Sequence, residues 1–448
     1  MKKGSYHFIG IGGVGMSALA HILLQKGHKV SGSDISETAV LKNLREAGAS
    51  IRVVQERANI VGKPIIVYST IITESNPEFI EGKLRGCRFL HRSDLLEELL
   101  REKKAIIIAG SHGKTTVTTL FSHTLECSGL YPSYVIGGFS DSIKYNGSTG
   151  SGEYFLAEGD ESDGSFLKTS PYGAILTNVD FDHIEYYWKT KEALIEAFKT
   201  FISLVQNKES FFYWGDDPFL SKWRPQGISY GLSPHVQLRG SNVRLFENGC
   251  KFDIEYKEKR YTNITLSMPG VHNVLNAMGV FGLAIHLGAK EEDIRGSFAS
   301  FSGVKRRFQF KGEAKGVKVY DDYAHHPNEI SRVFDTLDVI AKDKRVIVVF
   351  QPHRYSRLFE LMDDFADVLG RATDLVITDV YAAGENMIEG ITSEILLERI
   401  GQSKNIRHVK RESLTKFLLE YARPNDLIIT LGAGDVTQVG SEILQQLM

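Results

Sequence analysis

Cysteine is scarce in this chain: three in 448 residues, at Cys87, Cys127 and Cys250, far apart and without a C-x-x-C pair. That excludes a disulfide framework and a zinc ribbon and fits a reducing compartment. All three are expected to be buried structural thiols. Positive charge is not in surplus either. Lys plus Arg number 53 against 55 Asp plus Glu, a net charge of −2, which argues against a nucleic-acid footprint. No apolar run approaches the ~18 residues of a membrane span. The opening Met1-Lys2-Lys3-Gly4-Ser5-Tyr6-His7 runs straight into a strand-like segment, so no signal peptide is expected and the protein is expected in the cytoplasm. Low-complexity tracts and short-period repeats are also missing. What remains is ordinary globular composition, 42% hydrophobic and 24% charged, in a chain too long for one core.

The most informative segment is Gly110-Ser111-His112-Gly113-Lys114-Thr115-Thr116, directly after the apolar run Ala105–Ala109 and before a helix-forming stretch from Val117 to Leu125. A buried strand running into a glycine-rich turn and a helix aims backbone N–H groups at a polyphosphate. Lys114 adds positive charge and Thr115 can ligate Mg²⁺. The spacing is two residues short of the full Walker pattern, so the bland alternative is a strand–turn–helix that happens to carry G-K-T. The strand before and the helix after favour phosphate binding.

Around this loop, strand-like and helix-like patterns alternate, as in parallel sheets covered by helices. Strands are expected at Tyr6–Gly10, Lys29–Ser33, Pro64–Tyr68, Tyr154–Glu158 and Ala174–Asn178, with helices at Gly15–Lys26, Ala39–Ala47, Ser93–Leu100 and Glu192–Val205. Residues 235–268 alternate polar and apolar with turn signals such as Glu247-Asn248-Gly249, so a small antiparallel sheet is expected there, followed by a helix from His272 to His286. Further strands are expected at Val317–Asp321, Arg345–Phe350, Asp374–Tyr381 and Asp426–Leu431. Breaks near the charged Leu100–Lys104 and the segment Gly303–Arg307 divide the chain into three α/β domains, residues 1–102, 103–304 and 305–448.

Other motifs gather at strand ends, where ligands collect in open α/β sheets. The first domain carries Gly10-Ile11-Gly12-Gly13-Val14-Gly15 at its first strand–helix turn, with Asp34 ending the second strand in position to bond a ribose hydroxyl. NAD, FAD or a nucleoside-diphosphate sugar would all suit, and so would a turn that merely packs closely. Glu158 ends a strand beside the phosphate loop and is the best Mg²⁺ ligand of the cluster Glu158-Gly159-Asp160-Glu161-Ser162-Asp163. The later acids of that cluster, taken singly, read as a solvated loop. His183, in Asp180-Phe181-Asp182-His183, is a second metal ligand or a capping neighbour. Asp321-Asp322-Tyr323-Ala324-His325-His326-Pro327 and, one strand later, Phe350-Gln351-Pro352-His353-Arg354-Tyr355-Ser356-Arg357 concentrate imidazoles and arginines on neighbouring strand ends. Arginine grips a small carboxylate bidentately.

In order and at their spacing, "HFIGIGGVGMSALA", "GSHGKTT", "EGDESDGSFL", "DFDHIEYY", "GVHNVLNA", "GVKRRFQ", "DDYAHHPNEI" and "FQPHRYSR" resemble the Mur ligase family across nearly the whole chain. The closest resemblance is to its alanine-adding branch. "DESDGSF" with "FQPHRYSR" separates that branch from the muropeptide-recycling one, which adds a tripeptide. Ser111, Gly159 and Ala324 depart from the usual threonine, alanine and glycine, small-for-small exchanges that leave the roles intact. The resemblance implies an N-terminal Rossmann-like domain for a UDP-sugar, a central P-loop-type ATPase carrying the small antiparallel sheet, and a C-terminal Rossmann-like domain for the amino acid. It implies ATP-dependent ligation of L-alanine to the lactyl carboxylate of UDP-N-acetylmuramate through an acyl phosphate, with Mg²⁺ or Mn²⁺, in cytoplasmic peptidoglycan precursor synthesis. Carried over onto this chain, Gly110 to Thr116 with His272, Asn273, Asn276 and Arg307 would surround ATP. Thr115, Glu158 and His183 would hold metal. Gly12, Gly13, Asp34, Ser69, His91 and Arg92 would line the UDP-sugar site, and His326, Arg354 and Arg357 would orient the amino acid. Lys114, His183, His326, Arg354 and Arg357 are the expected catalytic set. Neither nucleic acid nor membrane is an expected partner, and the expected state is monomer or homodimer. A nicotinamide dehydrogenase would leave the phosphate loop and acidic cluster idle. A nucleotide-sensing protein would need neither "DDYAHHP" nor "FQPHRYSR".

Overall fold

A computed structural model describes residues 3–162, 164–181, 188–342, 344–401 and 405–447. Its framework is three sheets. The first contains β1 (Ser5–Ile9), β2 (Lys29–Ser33), β3 (Ser50–Arg52), β4 (Ile65–Tyr68) and β5 (Phe89–His91), all parallel in the order β3-β2-β1-β4-β5. The chain reverses its direction of travel between β1 and β4, which opens a crevice beyond their carboxyl ends. The glycine turn after β1 and Ser69 after β4 both lie there.

The second sheet has ten strands: β6 (Lys104–Ala109), β7 (Ser133–Val135), β8 (Gly147–Ser148), β9 (Tyr154–Glu158), β10 (Gly173–Leu176), β11 (Phe211–Trp214), β12 (Ile228–Gly231), β13 (Leu238–Phe246), β14 (Gly249–Tyr256) and β15 (Lys259–Leu266), in the order β15-β14-β13-β12-β11-β10-β6-β9-β7-β8. β6 is parallel to both its neighbours, β10 and β9. The loops leaving the three strands therefore share one end of the sheet. β13, β14 and β15 are joined through Glu247-Asn248 and Lys257-Glu258, connections so short that neighbouring strands must run antiparallel. These are the strands expected over 235–268, and they extend the central sheet past β12.

The third sheet contains β16 (Gln309–Ala314), β17 (Val317–Asp322), β18 (Val346–Phe350), β19 (Asp374–Ile377), β20 (Asn405–His408) and β21 (Leu427–Leu431), ordered β16-β17-β21-β18-β19-β20. Only β16 is antiparallel. Alternate residues face opposite ways: Val348 and Phe350 join one apolar cluster, Ile347 and Val349 another. Burial on both faces explains why this strand reads as an unbroken apolar run. One adjacency expected from the sequence is corrected here. β17 and β18 are not neighbours, because β21, last in the chain, inserts between them.

The chain forms two compact units. One runs to Val243 and takes in Lys251–Ser267 and Val274–Ser302; the other comprises Arg244–Cys250, Met268–Asn273 and residues from Gly303 onward. The thiols also need correction: only Cys250 is buried, Cys87 is half-buried and Cys127 is exposed. Cys127 falls in the last turn of its helix, on the solvent side. Among the described residues no helix is long and apolar enough to cross a membrane.

Candidate active site

The phosphate loop leaves β6 and enters the helix Lys114–Cys127 through Gly113, which has φ +85°. Gly110 has φ +130°, and a Cβ there would lie 2.9 Å from Asn178 O and collide with Thr177 Oγ1. Both glycines are thus required by the backbone. β10 supplies the other wall. Asn178 accepts the His112 N–H at 2.9 Å and returns its own amide N–H to His112 O at 3.0 Å. Ser111 Oγ donates to Asp180 O at 2.8 Å, and His112 Nε2 lies 3.2 Å from Asp180 Oδ2. The loop is thus fastened from outside by the residues that follow β10. Asn276 joins it, since a Cβ on Gly113 would sit 3.0 Å from Asn276 Oδ1.

Lys114 Nζ donates to Gly110 O at 2.6 Å, Ser111 O at 3.1 Å and Glu161 Oε2 at 2.6 Å. Burial alone would lower its pKa, yet Glu161, Asp160 and Glu158 outweigh it and hold Lys114 protonated. Burial pushes Glu161 up to about 7, with Asp160 adding to the shift and Lys114 opposing it. Asp160 goes the other way. Burial would raise it, but Lys114, Ser162 and Arg92 hold it down.

Thr115 Oγ1 donates to Glu158 Oε2 at 2.9 Å, and Glu158 Oε1 accepts the Gly137 N–H at 2.6 Å. One hydroxyl and one carboxylate, side by side at a helix start, form a hard-oxygen pair. Mg²⁺ takes one or two carboxylates and completes its shell with water and phosphate. The residues fit that ion, although no group of three His, Cys, Asp or Glu side chains that could hold a metal occurs among the described residues. His183, expected as a metal ligand, lies outside the described residues, as does Asp163.

Beyond β1 and β4 a cavity of about 650 Å³ is lined by Gly13, Asp34, Ser69 and Arg92, together with Gln55 and Asn76. Gly12 reaches it indirectly: its N–H donates to Asp34 Oδ2 at 2.8 Å. Each carboxylate oxygen has a further lone pair for a ligand hydroxyl. His91 does not line the cavity. It caps the helix Arg92–Leu100 by accepting the Ser93 N–H at 3.3 Å, and its Nε2 is 3.2 Å from Thr70 Oγ1. Arg92 lines the cavity and also reaches Asp160 Oδ2 at 3.3 Å.

In the second unit, the loops after β17 and β18 meet above β21, with His325 and His353 rings 5.7 Å apart. His353 stacks on Tyr381 at 5.6 Å and 10°. Its pKa is pushed down to about 3 by burial and then by His325, Arg357 and Arg354. The ring is neutral, so Nδ1 can accept from Arg357 Nη1, 3.3 Å away. Arg354 is held at φ +72° with its N–H on Tyr381 O at 2.9 Å, a strained backbone for a non-glycine residue. His326 caps the helix Pro327–Ile340 through the Asn328 N–H at 3.4 Å. Arg307 lies over the Tyr323 ring at 5.3 Å and 3.5 Å from Glu329. His272 is pushed down to about 4 by burial and Arg332, and Asn273 donates to Pro269 O at 2.7 Å.

Residues 5–104, 108–284 and 306–434 match, in turn, models described as Mur ligase family, catalytic domain; Mur ligase middle domain; and Mur ligase, glutamate ligase domain. The UDP-N-acetylmuramate–L-alanine ligase of Protochlamydia amoebophila is 42% identical over 447 residues, 99% of this chain and 98% of that protein. The chain belongs to the Mur ligase family. The crystal structure of the UDP-N-acetylmuramate–alanine ligase of Thermotoga maritima superposes with TM-score 0.86 at 27% identity, covering 99% of both chains. A murein peptide ligase from Psychrobacter arcticus shares the fold at TM-score 0.72 and 21% identity, covering 99% of this chain and 98% of that one.

Two features of this Mur ligase escaped the sequence reading. Glu161 is buried and paired with Lys114, not part of a solvated loop. An acid three residues beyond a strand end gives no local sign of burial. The second is the turn Gly432–Asp435 after β21. Gln351 Nε2 donates to Asp435 Oδ1 at 2.7 Å and the Gly432 N–H donates to Asp322 O at 3.2 Å, so this turn ties the ends of β17 and β18 together; Arg306 adds a bond to Gly432 O at 2.6 Å. A Gly-x-Gly-Asp after an apolar run was the available signal.

Proposed function

We propose that the chain is the ATP-dependent ligase that joins L-alanine to the lactyl carboxylate of UDP-N-acetylmuramate in cytoplasmic peptidoglycan precursor synthesis, acting as a monomer or homodimer. The observation that carries this reading is the identity of 42% over 99% of the chain to a ligase of that name, together with a lysine-bearing phosphate loop flanked by hard-oxygen donors. We place the domain boundaries at 102/103 and 304/305, which leaves the strands of each sheet within one domain.

In this reading the lactyl carboxylate oxygen attacks the γ-phosphorus of ATP, the bond to the β-phosphate oxygen breaks, and ADP leaves. The amine of L-alanine then attacks the acyl carbon, and phosphate departs with one former carboxylate oxygen. Phosphoryl transfer of this kind is mostly positioning and charge stabilisation. The loop N–H groups and the helix start at Lys114 cradle the phosphates, and Lys114 neutralises charge on the transferring group. Thr115 and Glu158 would hold Mg²⁺ or Mn²⁺, with His183 as the further ligand; the ion would supply Lewis-acid polarisation of phosphoryl oxygens. Gly13, Asp34, Ser69 and Arg92 hold the sugar nucleotide. Arg354 and Arg357 grip the alanine carboxylate, and the neutral His353 fixes Arg357. His326 helps to orient the amino acid, and an adjacent imidazole takes up the proton that the amine loses.

The test is phosphate release from ATP with each substrate omitted in turn. The reading expects turnover only when UDP-N-acetylmuramate and L-alanine are both present, with glycine and L-serine slower and the tripeptide inactive. Turnover with the tripeptide in place of alanine, or with ATP alone, would overturn it.

A further inference from the structure

Glu161 has no part in the scheme above, yet it is the most deeply buried acid near the phosphate loop. Its side chain is 2% exposed. Its backbone is fastened by Trp188, whose indole N–H donates to Glu161 O at 2.7 Å. An ammonium group has three N–H bonds, and in Lys114 all three are directed, to Glu161, Gly110 O and Ser111 O. A phosphate oxygen can reach Lys114 only by displacing one of these acceptors. Displacing Glu161 would strand a buried carboxyl beside an incoming polyanion, either charged and uncompensated or forced to take up a proton, the costliest of the three exchanges. Displacing a loop carbonyl frees only a neutral group.

We propose that Glu161 is a positioning residue that keeps its grip on Lys114 when the nucleotide binds and aims the ammonium group at the transferring phosphoryl, the loop carbonyls being exchanged for phosphate oxygens. The inference rests on reading this loop as the ATP site. Glu161→Gln preserves size and a carbonyl acceptor but removes the charge. Calorimetry with magnesium and a non-hydrolysable ATP analogue should show binding as tight as in the wild type or tighter, because a negative charge beside the polyphosphate is gone. At the same time kcat should fall at least tenfold, and Glu161→Asp should recover part of it. Competitive acetylation read by mass spectrometry should find Lys114 less reactive in the wild type than in Glu161→Gln. An unchanged kcat would overturn the proposal. So would analogue binding that weakens in step with kcat, which would make Glu161 a nucleotide or metal ligand. If the glutamine variant does not fold, Glu161→Asp decides: equal Lys114 reactivity in that variant and the wild type would count against the grip. Absence of ligase turnover in the wild type would sink the functional reading alone, since analogue binding and labelling still test the Glu161 contact.

Discussion

Removing the lysine should separate two effects that the structure places on one side chain. In Lys114→Ala the transition state loses a preorganised cation, worth roughly 3–4 kcal/mol or about 10²–10³ in kcat for a donor of this kind. Glu161 meanwhile loses its partner, and a stranded buried charge would cost about 3–5 kcal/mol. Burial already pushes that carboxyl up to about 7 with the lysine in place. Without it the folded pKa rises further, so the group takes up a proton and limits the loss. The sign follows from linkage. An acid whose folded pKa exceeds its unfolded value, about 4.3 for Glu, binds more protons when folded. Stability then falls as pH rises from the unfolded value through the folded one. Lys114→Ala should therefore lose thermal stability between pH 5 and 8 more steeply than the wild type. Adding Glu161→Gln should remove that extra slope without restoring turnover. Phosphate release gives the first number and melting curves across the pH range give the second. Turnover within threefold of wild type, or identical pH slopes in the single and double variants, would refute the reasoning.

Gly110→Ala forces a Cβ onto Thr177 at φ +130° and should weaken binding of a non-hydrolysable ATP analogue at least tenfold, measured by calorimetry; unchanged affinity would mean the loop can shift freely. Arg357→Lys should raise the KM for alanine about tenfold and leave that for ATP alone, because lysine lacks the bidentate fork; equal effects on both would contradict the assignment. Burial pushes Asp322 up to about 6, against Arg307 and the N–H groups of Ala324 and Phe308. Stability should therefore decline as pH rises from about 4 to 6, by at most roughly 3 kcal/mol. Asp322→Asn should flatten that decline in a melting series; an unaltered slope would show that the carboxyl is not buried.

The sequence exposed what depends on local pattern. The apolar run before Gly110, the glycines at positive φ and the strand–helix rhythm all carry their signals within a dozen residues. β7, β8, β11 and β12 did not stand out, being short or lying in stretches without clear periodicity. The insertion of β21 between β17 and β18 was invisible because sheet order is a long-range property; the final strand reads like any other apolar run. Burial of Glu161 was hidden for the same reason, since only the parallel pairing of β9 with β6 brings it to Lys114. His91, carried over for the sugar site, caps the helix Arg92–Leu100 in this structure, a role that its sequence neighbours do not announce. Asp34, read from its place at the end of β2, and Arg92, carried over from the family, both line the cavity beyond β1 and β4.

The central claim is that a carboxylate on the sugar nucleotide is phosphorylated before the amine attacks. UDP-N-acetylmuramate labelled with ¹⁸O in its lactyl carboxylate tests this directly, by mass analysis of the phosphate released during alanine addition. The account requires one ¹⁸O atom in each phosphate formed. Unlabelled phosphate, or release of AMP and pyrophosphate in its place, would contradict it.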